Sequence, residues 1–412
     1  MVGLANNGDF GKVTGIFGLG ADGRDEFKYA PLHYTFAHAY KFDMEYRSSE
    51  QLLAAAAIGL NRMVRRDGDF DVRAIGFVHG ALVLLAFVLI PRRGRVATLG
   101  TLLIFGDVLY VSALNSFYMD TAAYVFLLLA AGFYLRGQGW WLMVAALLLV
   151  ASKTPHALLG IPLAGLLLYD RAALGLSGWK ARFAAVAVIA GVLLAWITMP
   201  RDYRTNSVFS VIFFRILPAS QDLSGDLRLL GLDDSYKRYV GQHAFTFHGA
   251  FDEPGFRQEF EKRISYLNLG RFYLRRPGRA WQDFRKSLAE AGSQRPDLGN
   301  FDRKYGRPEF SQSQRFAWWS DLKSRLFQGN GRVYFAAIVL LTAAALALAL
   351  GDRAYLAGVV ALVALMYVEL LGSALGDALE VKRHFFLFHA LEDLLVMTTV
   401  ALAARRITRG SA

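Results

Sequence analysis

Nine long apolar blocks divide this sequence, and they restrict its fold more than any other feature. A hydrocarbon core of about 30 Å accepts such a block as a helix, whereas water penalises its exposure. The composition agrees, since 54% of the 412 residues are hydrophobic and only 19% are charged. We therefore predict an all-α, polytopic helical membrane protein. Its transmembrane helices are expected near residues 74–91, 96–114, 119–135, 139–152, 155–169, 183–199, 333–350, 354–374 and 385–404.

The fourth and fifth blocks are short, and only Ser152, Lys153, Thr154 and Pro155 separate them. Proline has no backbone N–H, and it pushes the preceding residue out of the helical conformation. The sequence therefore favours a tight hairpin at a membrane face over one long kinked helix.

Lysine and arginine are distributed unevenly among the short loops, and this bias sets the orientation. One set of loops holds Arg92, Arg93, Arg95, Arg136, Arg171, Lys180, Arg182, Arg353, Arg405, Arg406 and Arg409. The opposite set holds only Lys153, Lys382 and Arg383. We expect the first set and the C-terminus to be cytoplasmic. This orientation divides the chain into an outer region at 1–73, six spans at 74–199, an outer helical segment at 200–332, and three spans with a cytoplasmic tail at 333–412.

The N-terminal region begins MVGLANNGDF, without a cleavable signal or a membrane anchor. We expect an outer loop region with interfacial helices, and we infer a further N-terminal span that this sequence lacks. The alternative is that the next helix carries the region across the membrane.

The outer segment at 200–332 carries 23 Lys plus Arg against 15 Asp plus Glu. This surplus suits a surface that lies against anionic headgroups or a phosphate-bearing lipid, and nucleic acid is not expected as a partner. Apolar spacing predicts one helix along 256–267, a second that opens near Pro277, and an amphipathic interfacial helix along 316–327. The sequence has no cysteine, so packing alone must stabilise this segment.

Four acidic residues lie inside predicted spans, where a charge is expensive. They are Asp107, Glu369, Glu392 and Asp393. At 1.5 Å per residue, all four fall in the outer half of the membrane, within roughly 11 Å of its surface. We interpret them as the lining of a polar cavity that opens outward. The alternative is that each makes a hydrogen bond or an ion pair between helices.

Two further acidic residues lie in outer loops. Asp120 ends the turn NSFYMD, which has no basic residue, and we expect it to cap the next helix with a second role open to it. Asp9 lies between Gly8 and Phe10 in NNGDFGKV, where glycine permits a turn that presents the carboxylate outward.

The three outward basic residues Lys153, Lys382 and Arg383, with the adjacent His384, are candidates for binding a lipid phosphate. Arginine offers a bidentate fork and lysine a point charge. The alternative is that these side chains only anchor their helices at the headgroups. His384 and His389 have no partners at ligand spacing, so no metal site is predicted.

Several short motifs resemble bacterial GT-C-fold glycosyltransferases, a group that includes protein mannosyltransferases and lipid A aminoarabinose transferases. NNGDF, NSFY, LGNF at 298–301 and RHFFLF at 383–388 look like hexose-transferase-like members of that group. The resemblance implies a polyprenyl-phosphate-linked sugar donor and a cell-surface glycan, lipid or protein acceptor. It also implies a location in the bacterial inner membrane, with the active site on the periplasmic side. By similarity, Asp9 matches the first catalytic acid of the group and Asp120 the second. The sequence identifies no cofactor, and a divalent cation stays an open alternative.

The chemistry of such a transfer needs few groups. The acceptor hydroxyl loses a proton as it attacks the anomeric carbon, so a carboxylate base is useful. The leaving phosphate needs cations rather than a general acid. Two other hypotheses stay open, a membrane transporter or lipid flippase and a noncatalytic scaffold. Release of polyprenyl phosphate from a sugar-loaded donor would distinguish an enzyme from a transporter. Full function after neutralisation of all these acids would indicate a scaffold.

Overall fold

The computed structural model describes residues 2–21, 23–36, 46–65, 68–90, 95–351 and 353–410. Arg92 and Arg93 lie outside the described residues, as do the side chains of Arg95, Arg353 and Arg409. The first α-helices are α1 (Gly11–Thr14), α2 (Glu50–Val64), α3 (Arg73–Leu89), α4 (Arg95–Phe105), α5 (Val108–Leu114), α6 (Met119–Leu135), α7 (Gly139–Val150), α8 (Gly160–Tyr169) and α9 (Gly178–Ile197). They are followed by α10 (Arg201–Ser210), α11 (Leu223–Leu230), α12 (Phe256–Arg263), α13 (Tyr266–Arg275), α14 (Pro277–Ala291), α15 (Trp318–Phe327), α16 (Gly331–Ala349), α17 (Arg353–Leu375), α18 (Val381–His384) and α19 (Phe386–Gly410).

Each predicted span coincides with helix, but the spans differ in length. Among the described residues, four helices are long and apolar enough to cross a membrane: α9, α16, and the stretches Tyr355–Leu375 and Phe386–Thr408. A fifth span results if α5 and α6, which meet at 112°, are taken together. The remaining apolar helices are shorter, so nine complete spans are not confirmed. Large apolar side chains such as Leu84, Leu99 and Leu340 are exposed on these helices, as a lipid-facing surface requires.

The second predicted span is not one continuous helix. The helix breaks at Gly106 and Asp107, between α4 and α5. A Cβ atom at Gly106 would lie 2.4 Å from the carbonyl oxygen of Leu102, so only glycine fits this close approach. Asp107 caps α5 by accepting from the backbone N–H of Leu109. Asp107, which was predicted to line a cavity, is therefore the residue at which the break ends and the next helix begins.

The hairpin predicted around Lys153 is confirmed. Helix α7 ends at Val150, a 3₁₀ helix covers Thr154–Leu159, and α8 then packs back against α7. The turn brings Lys153 to the same end of the bundle as the N-terminal region, because Ser48 Oγ donates to the carbonyl oxygen of Ser152 at 2.6 Å.

Within the segment predicted to be outer, residues 208–273 form a separate apolar core, built around Phe209, Phe213 and Phe260. The helix predicted along 256–267 is wrong as a single element. Helix α12 ends at Arg263, and a capping box at Ser265 starts α13 instead. Helix α14 begins at Pro277 as predicted, and α15 forms within the predicted amphipathic stretch.

The two regions predicted to be outside pack against each other. The backbone N–H groups of Gly3 and Ala5 donate to the carbonyl oxygens of Asn300 and Gly299, at 3.0 and 2.9 Å. A small antiparallel sheet in the N-terminal region pairs β1 (Leu19–Gly20) with β2 (His33–Phe36) and β2 with β3 (Asp69–Asp71). In this register, Leu19 faces Phe36 and His33 faces Asp71. The two regions therefore share one end of the bundle.

Candidate functional site

A braced turn presents Asp9 just before α1. The side-chain oxygen of Asn6 accepts from the backbone N–H groups of Gly8 and Phe10, and that of Asn7 accepts from the N–H of Asp9. Gly8 has φ 94°, a left-handed conformation that favours glycine. The turn therefore fixes Asp9 in place.

Two cations reach Asp9. Lys12, one turn further on in α1, places its Nζ 2.6 Å from Asp9 Oδ1. Arg383 of α18 places Nη2 2.9 Å from Asp9 Oδ2. The ammonium of Lys12 also lies 4.9 Å from the ring centroid of Tyr203, at the start of the outer segment. Asp9 thus pairs with one cation from the N-terminal part of the chain and one from the C-terminal part. It lies next to the segment at 200–332.

Arg383 joins the two acids that the sequence singled out. Its Nη1 lies 3.6 Å from Asp120 Oδ2, and its guanidinium lies 5.1 Å from the ring centroid of Tyr118. Glu380 accepts from Nη2 at 3.1 Å and adopts a left-handed backbone conformation with φ 49°. Such strained conformations are concentrated at functional sites. The amide of Asn7 donates to Glu380 at 2.5 Å, which ties the turn of Asp9 to α18.

Two nitrogens of Arg383, Nε and Nη1, are buried and have no hydrogen-bond acceptor among the described residues. An unsatisfied buried donor costs about 1–3 kcal/mol, more when the group is charged. A guanidinium with unused donors can take up a further anion.

Asp120 does not cap α6, contrary to the prediction. Tyr118 is the N-cap residue and makes no side-chain cap bond, and Asp120 lies in the first turn. Its carboxylate instead accepts two hydrogen bonds from Lys153 Nζ, at 3.0 and 3.1 Å. His156 Nε2 lies 3.0 Å from Asp120, and its Nδ1 lies 3.1 Å from Glu369 on α17. Asp120 therefore holds two neighbouring cationic or proton-bearing side chains.

We call this set the site cluster: Asp9, Lys12, Asp120, Lys153, His156, Glu369, Glu380 and Arg383. The sequence did not predict a role for Lys12, His156 or Glu380. Lys12 and Glu380 each lie three residues from a partner of opposite charge, and that spacing could have found them. His156 lies inside an apolar block and gives no such signal.

Helix α2 braces the cluster from the side. The amide of Gln51 donates to the carbonyl oxygens of Lys12 and Tyr46, at 3.1 and 2.9 Å. The Tyr46 hydroxyl accepts from the backbone N–H of Thr154 at 3.0 Å. The positions of Lys12 and Lys153 are therefore coupled through α2.

Burial and nearby charges control the protonation of Asp9 and of His384, the residue that follows Arg383. Burial would raise the pKa of Asp9, but the charges of Arg383, Lys12 and Lys153 outweigh it and hold the pKa well below its usual range. Burial and the nearby cations Lys153 and Arg383 lower the pKa of His384 to about 4, although Asp377 opposes them. Asp9 is thus ionised at neutral pH, whereas His384 is neutral and offers a hydrogen bond rather than a positive charge.

Lys382 points away from the site cluster. It pairs with the exposed Asp297 at 2.7 Å. Of the cations proposed for phosphate, only Lys153 and Arg383 therefore lie in the cluster.

Glu392 and Asp393 do not join the site cluster either. Both bind Lys323 of α15, at 2.6 and 3.1 Å. Asp107 accepts from the backbone N–H groups of Trp319 and Ser320 in the same helix. We call this set, Asp107, Lys323, Glu392 and Asp393, the clasp cluster, because it fastens α15 to α5 and α19. Of the four acids predicted to line one cavity, only Glu369 lies in the site cluster.

No group of three or more His, Asp or Glu side chains within the described ranges could hold a metal ion.

The apolar helices and the buried ionic clusters at one end define a helical membrane protein. The family model of the YfdI N-terminal transmembrane domain matches residues 1–410, so the chain belongs to that family. Searches of curated proteins and of solved structures found no match.

Proposed function

We propose that this protein is an integral membrane glycosyltransferase. It transfers a sugar from a polyprenyl-phosphate donor to a cell-surface glycan, lipid or protein acceptor on the outer face of the membrane. The observation that carries the proposal is Arg383, a buried guanidinium that bridges Asp9 and Asp120 and keeps two nitrogens unsatisfied. A donor phosphate would supply the missing acceptors.

The donor phosphate binds where Arg383, Lys153 and Lys12 converge. Arginine contacts two oxygens through its fork, and the lysines add point charges as negative charge develops on the leaving group. Asp120 is the positioning residue, because its carboxylate already holds Lys153 and His156. This arrangement needs no general acid, since the leaving phosphate is stabilised by the cations.

Asp9 is the base. Its side chain is 18% exposed, against 4% for Asp120, so it is the more accessible to an acceptor. The acceptor oxygen attacks the anomeric carbon and forms the new glycosidic bond as its proton passes to Asp9. The bond between the anomeric carbon and the phosphate oxygen breaks, and its electron pair leaves with polyprenyl phosphate. Attack from the face opposite the phosphate inverts the anomeric configuration.

Donor binding also makes Asp9 a stronger base. While Arg383 and Lys12 pair with Asp9, the low pKa of the carboxyl makes it a weak base. A phosphate that shares these cations weakens their hold on Asp9 and raises its pKa. Asp9 thus gains basicity when the donor is in place.

The test is turnover by the purified protein in lipid nanodiscs with a sugar-loaded polyprenyl phosphate. Asp9→Asn keeps the size of the side chain and removes the base, so turnover should fall at least about 100-fold while donor binding persists. Asp297→Asn is the matched control, because it neutralises an exposed acid that also pairs with a cation. Full turnover by Asp9→Asn would refute the assignment of the base. If the wild-type protein in sealed liposomes moves the intact donor across the bilayer without releasing polyprenyl phosphate, it is a flippase instead.

The outward orientation of the site is tested by single cysteines, which the native chain does not contain. Lys304→Cys, in the outer segment, should react with a membrane-impermeant thiol reagent in intact cells. Ala172→Cys, in the loop at the other end of α8, should react only after lysis. The reverse pattern would place the site cluster in the cytoplasm and contradict the proposal.

A further inference from the structure

A cavity of about 380 Å³ lies behind the turn that carries Asp9. Its walls include Asn6, Gly8, Gly11, Gly20, Gly23 and Glu26, and we call it the glycine cleft. Gly8 and Gly23 are exposed at its rim, so the cavity is reached from solvent. Its volume falls within the range of about 300–1,000 Å³ that is typical of ligand sites.

The cleft and the site cluster differ in charge. The described lining of the cleft contains the carboxyl of Glu26 and no cationic side chain. An anionic ligand would be repelled there, whereas the phosphate of a donor is matched by Arg383 and the two lysines. The occupant of the cleft is therefore a ligand without negative charge.

The walls suit a ligand that is rich in hydroxyl groups. Glycine side chains leave the backbone open to close approach by a ligand. The amide of Asn6 donates only a long hydrogen bond of 3.4 Å to Glu26, so both groups keep capacity for further hydrogen bonds. Each hydroxyl group of a carbohydrate can donate to a carboxylate and accept from an amide.

The cleft adjoins the turn that carries Asp9. Both chain neighbours of Asp9 line it, and Asn6, which braces the turn of Asp9, forms part of its wall. We infer that the glycine cleft binds the acceptor, an uncharged carbohydrate chain, and delivers one of its hydroxyl groups to the turn of Asp9. This inference rests on the proposed function.

Gly23 offers a way to fill the cleft without disturbing the fold. A Cβ atom at this position meets nothing within 4 Å, and the backbone conformation is one that any residue adopts. Gly23→Leu should therefore fold and obstruct the cavity. The matched control is Gly270→Leu on α13, where a Cβ atom also meets open space but far along the chain from the cleft. Glu26→Gln is a second variant, which keeps the shape and removes the charge.

The measurement is saturation-transfer NMR on the full chain in nanodiscs, with neutral di- to tetrasaccharides and with matched oligosaccharides that contain a uronic acid. The wild-type protein and Gly270→Leu should bind neutral oligosaccharides in preference to acidic ones. Gly23→Leu should bind them at least about tenfold more weakly, and Glu26→Gln should lose part of the preference. Thermal midpoints measured in parallel confirm that each variant is folded.

Undiminished binding by Gly23→Leu, a preference for acidic oligosaccharides, or no binding by the wild-type protein would each overturn the inference. The measurement needs neither donor nor turnover, so it is independent of the test of Asp9. If Asp9→Asn keeps full turnover while Gly23→Leu loses binding, the base assignment fails and the carbohydrate cleft stands.

Discussion

The two ionic clusters at one end of the bundle both contain buried charges but differ in completeness. In the clasp cluster, Lys323 forms ion pairs with both Glu392 and Asp393, and Asp107 accepts hydrogen bonds from two backbone N–H groups of α15. In the site cluster, Arg383 meets its acids yet keeps two buried nitrogens without acceptors. A buried charge alone therefore does not identify a site. Unused donors on a cation inside an ionic cluster support one, because buried polar groups are normally paired.

A substitution that disrupts the clasp cluster should cause the largest loss of stability. Lys323→Met leaves Glu392 and Asp393 as uncompensated buried charges, and removing one partner of such a pair costs about 3–5 kcal/mol. Burial would lower the pKa of Lys323, but the two acids raise it, so the wild-type ammonium is charged. The thermal midpoint should fall strongly while turnover per folded molecule is unchanged.

A triple variant that adds Glu392→Gln and Asp393→Asn to Lys323→Met is the control. It removes the unpaired charges and should regain part of the lost stability. A loss of turnover greater than the loss of folded protein would contradict the division between clasp and site.

A substitution in the site cluster should have the opposite effect, a loss of turnover with little loss of stability. Arg383→Lys keeps the charge but loses the planar fork, so turnover should fall about 100-fold with little change in thermal midpoint. Lys382→Gln is the control, because this neighbouring cation pairs with an exposed acid outside the cluster. Equal effects of the two variants on donor KM would show that Arg383 is only an interfacial anchor.

The smallest expected effect is a shift in pH dependence. Lys12→Met removes one of the charges that lower the pKa of Asp9, so that pKa should rise. A base works only when deprotonated, and activity is lost as pH falls through its pKa. The acidic limb of the pH–rate profile should therefore move to higher pH in this variant. Lys28→Met, which breaks an exposed pair with Glu309, should leave the limb in place. An unmoved limb in Lys12→Met would mean that Asp9 does not control it.

Much of the helical layout was predictable from the sequence, because apolar length and proline act locally. The hairpin at Lys153 and the start of α14 at Pro277 follow from this local chemistry. The division of the acids was not predictable. Glu369 contacts His156, which lies 213 residues away along the chain and in turn contacts Asp120, and Lys323 pairs with Glu392 across 69 residues. The tertiary fold alone determines which carboxylate forms an ion pair with which cation.

The sequence predicted Asp120 as an N-cap, whereas the structure has Asp107 in that role, and this error has a similar cause. Aspartate is a good N-cap at either Asp107 or Asp120, and the sequence favoured the one in an evident loop. The break at Gly106 is hidden within an apolar run, so the cap at Asp107 could not be seen. Asp120 was left free to bind Lys153.

The hydrogen bond between Asn7 and Glu380 joins residues that are 373 positions apart. Synthesis proceeds from the N-terminus, so the ribosome has made almost all of this sequence before α18 can meet the turn of Asp9. Until then a nascent chain carries the acid without its arginine. A partly inserted chain therefore lacks the complete site cluster, which forms only when the bundle closes.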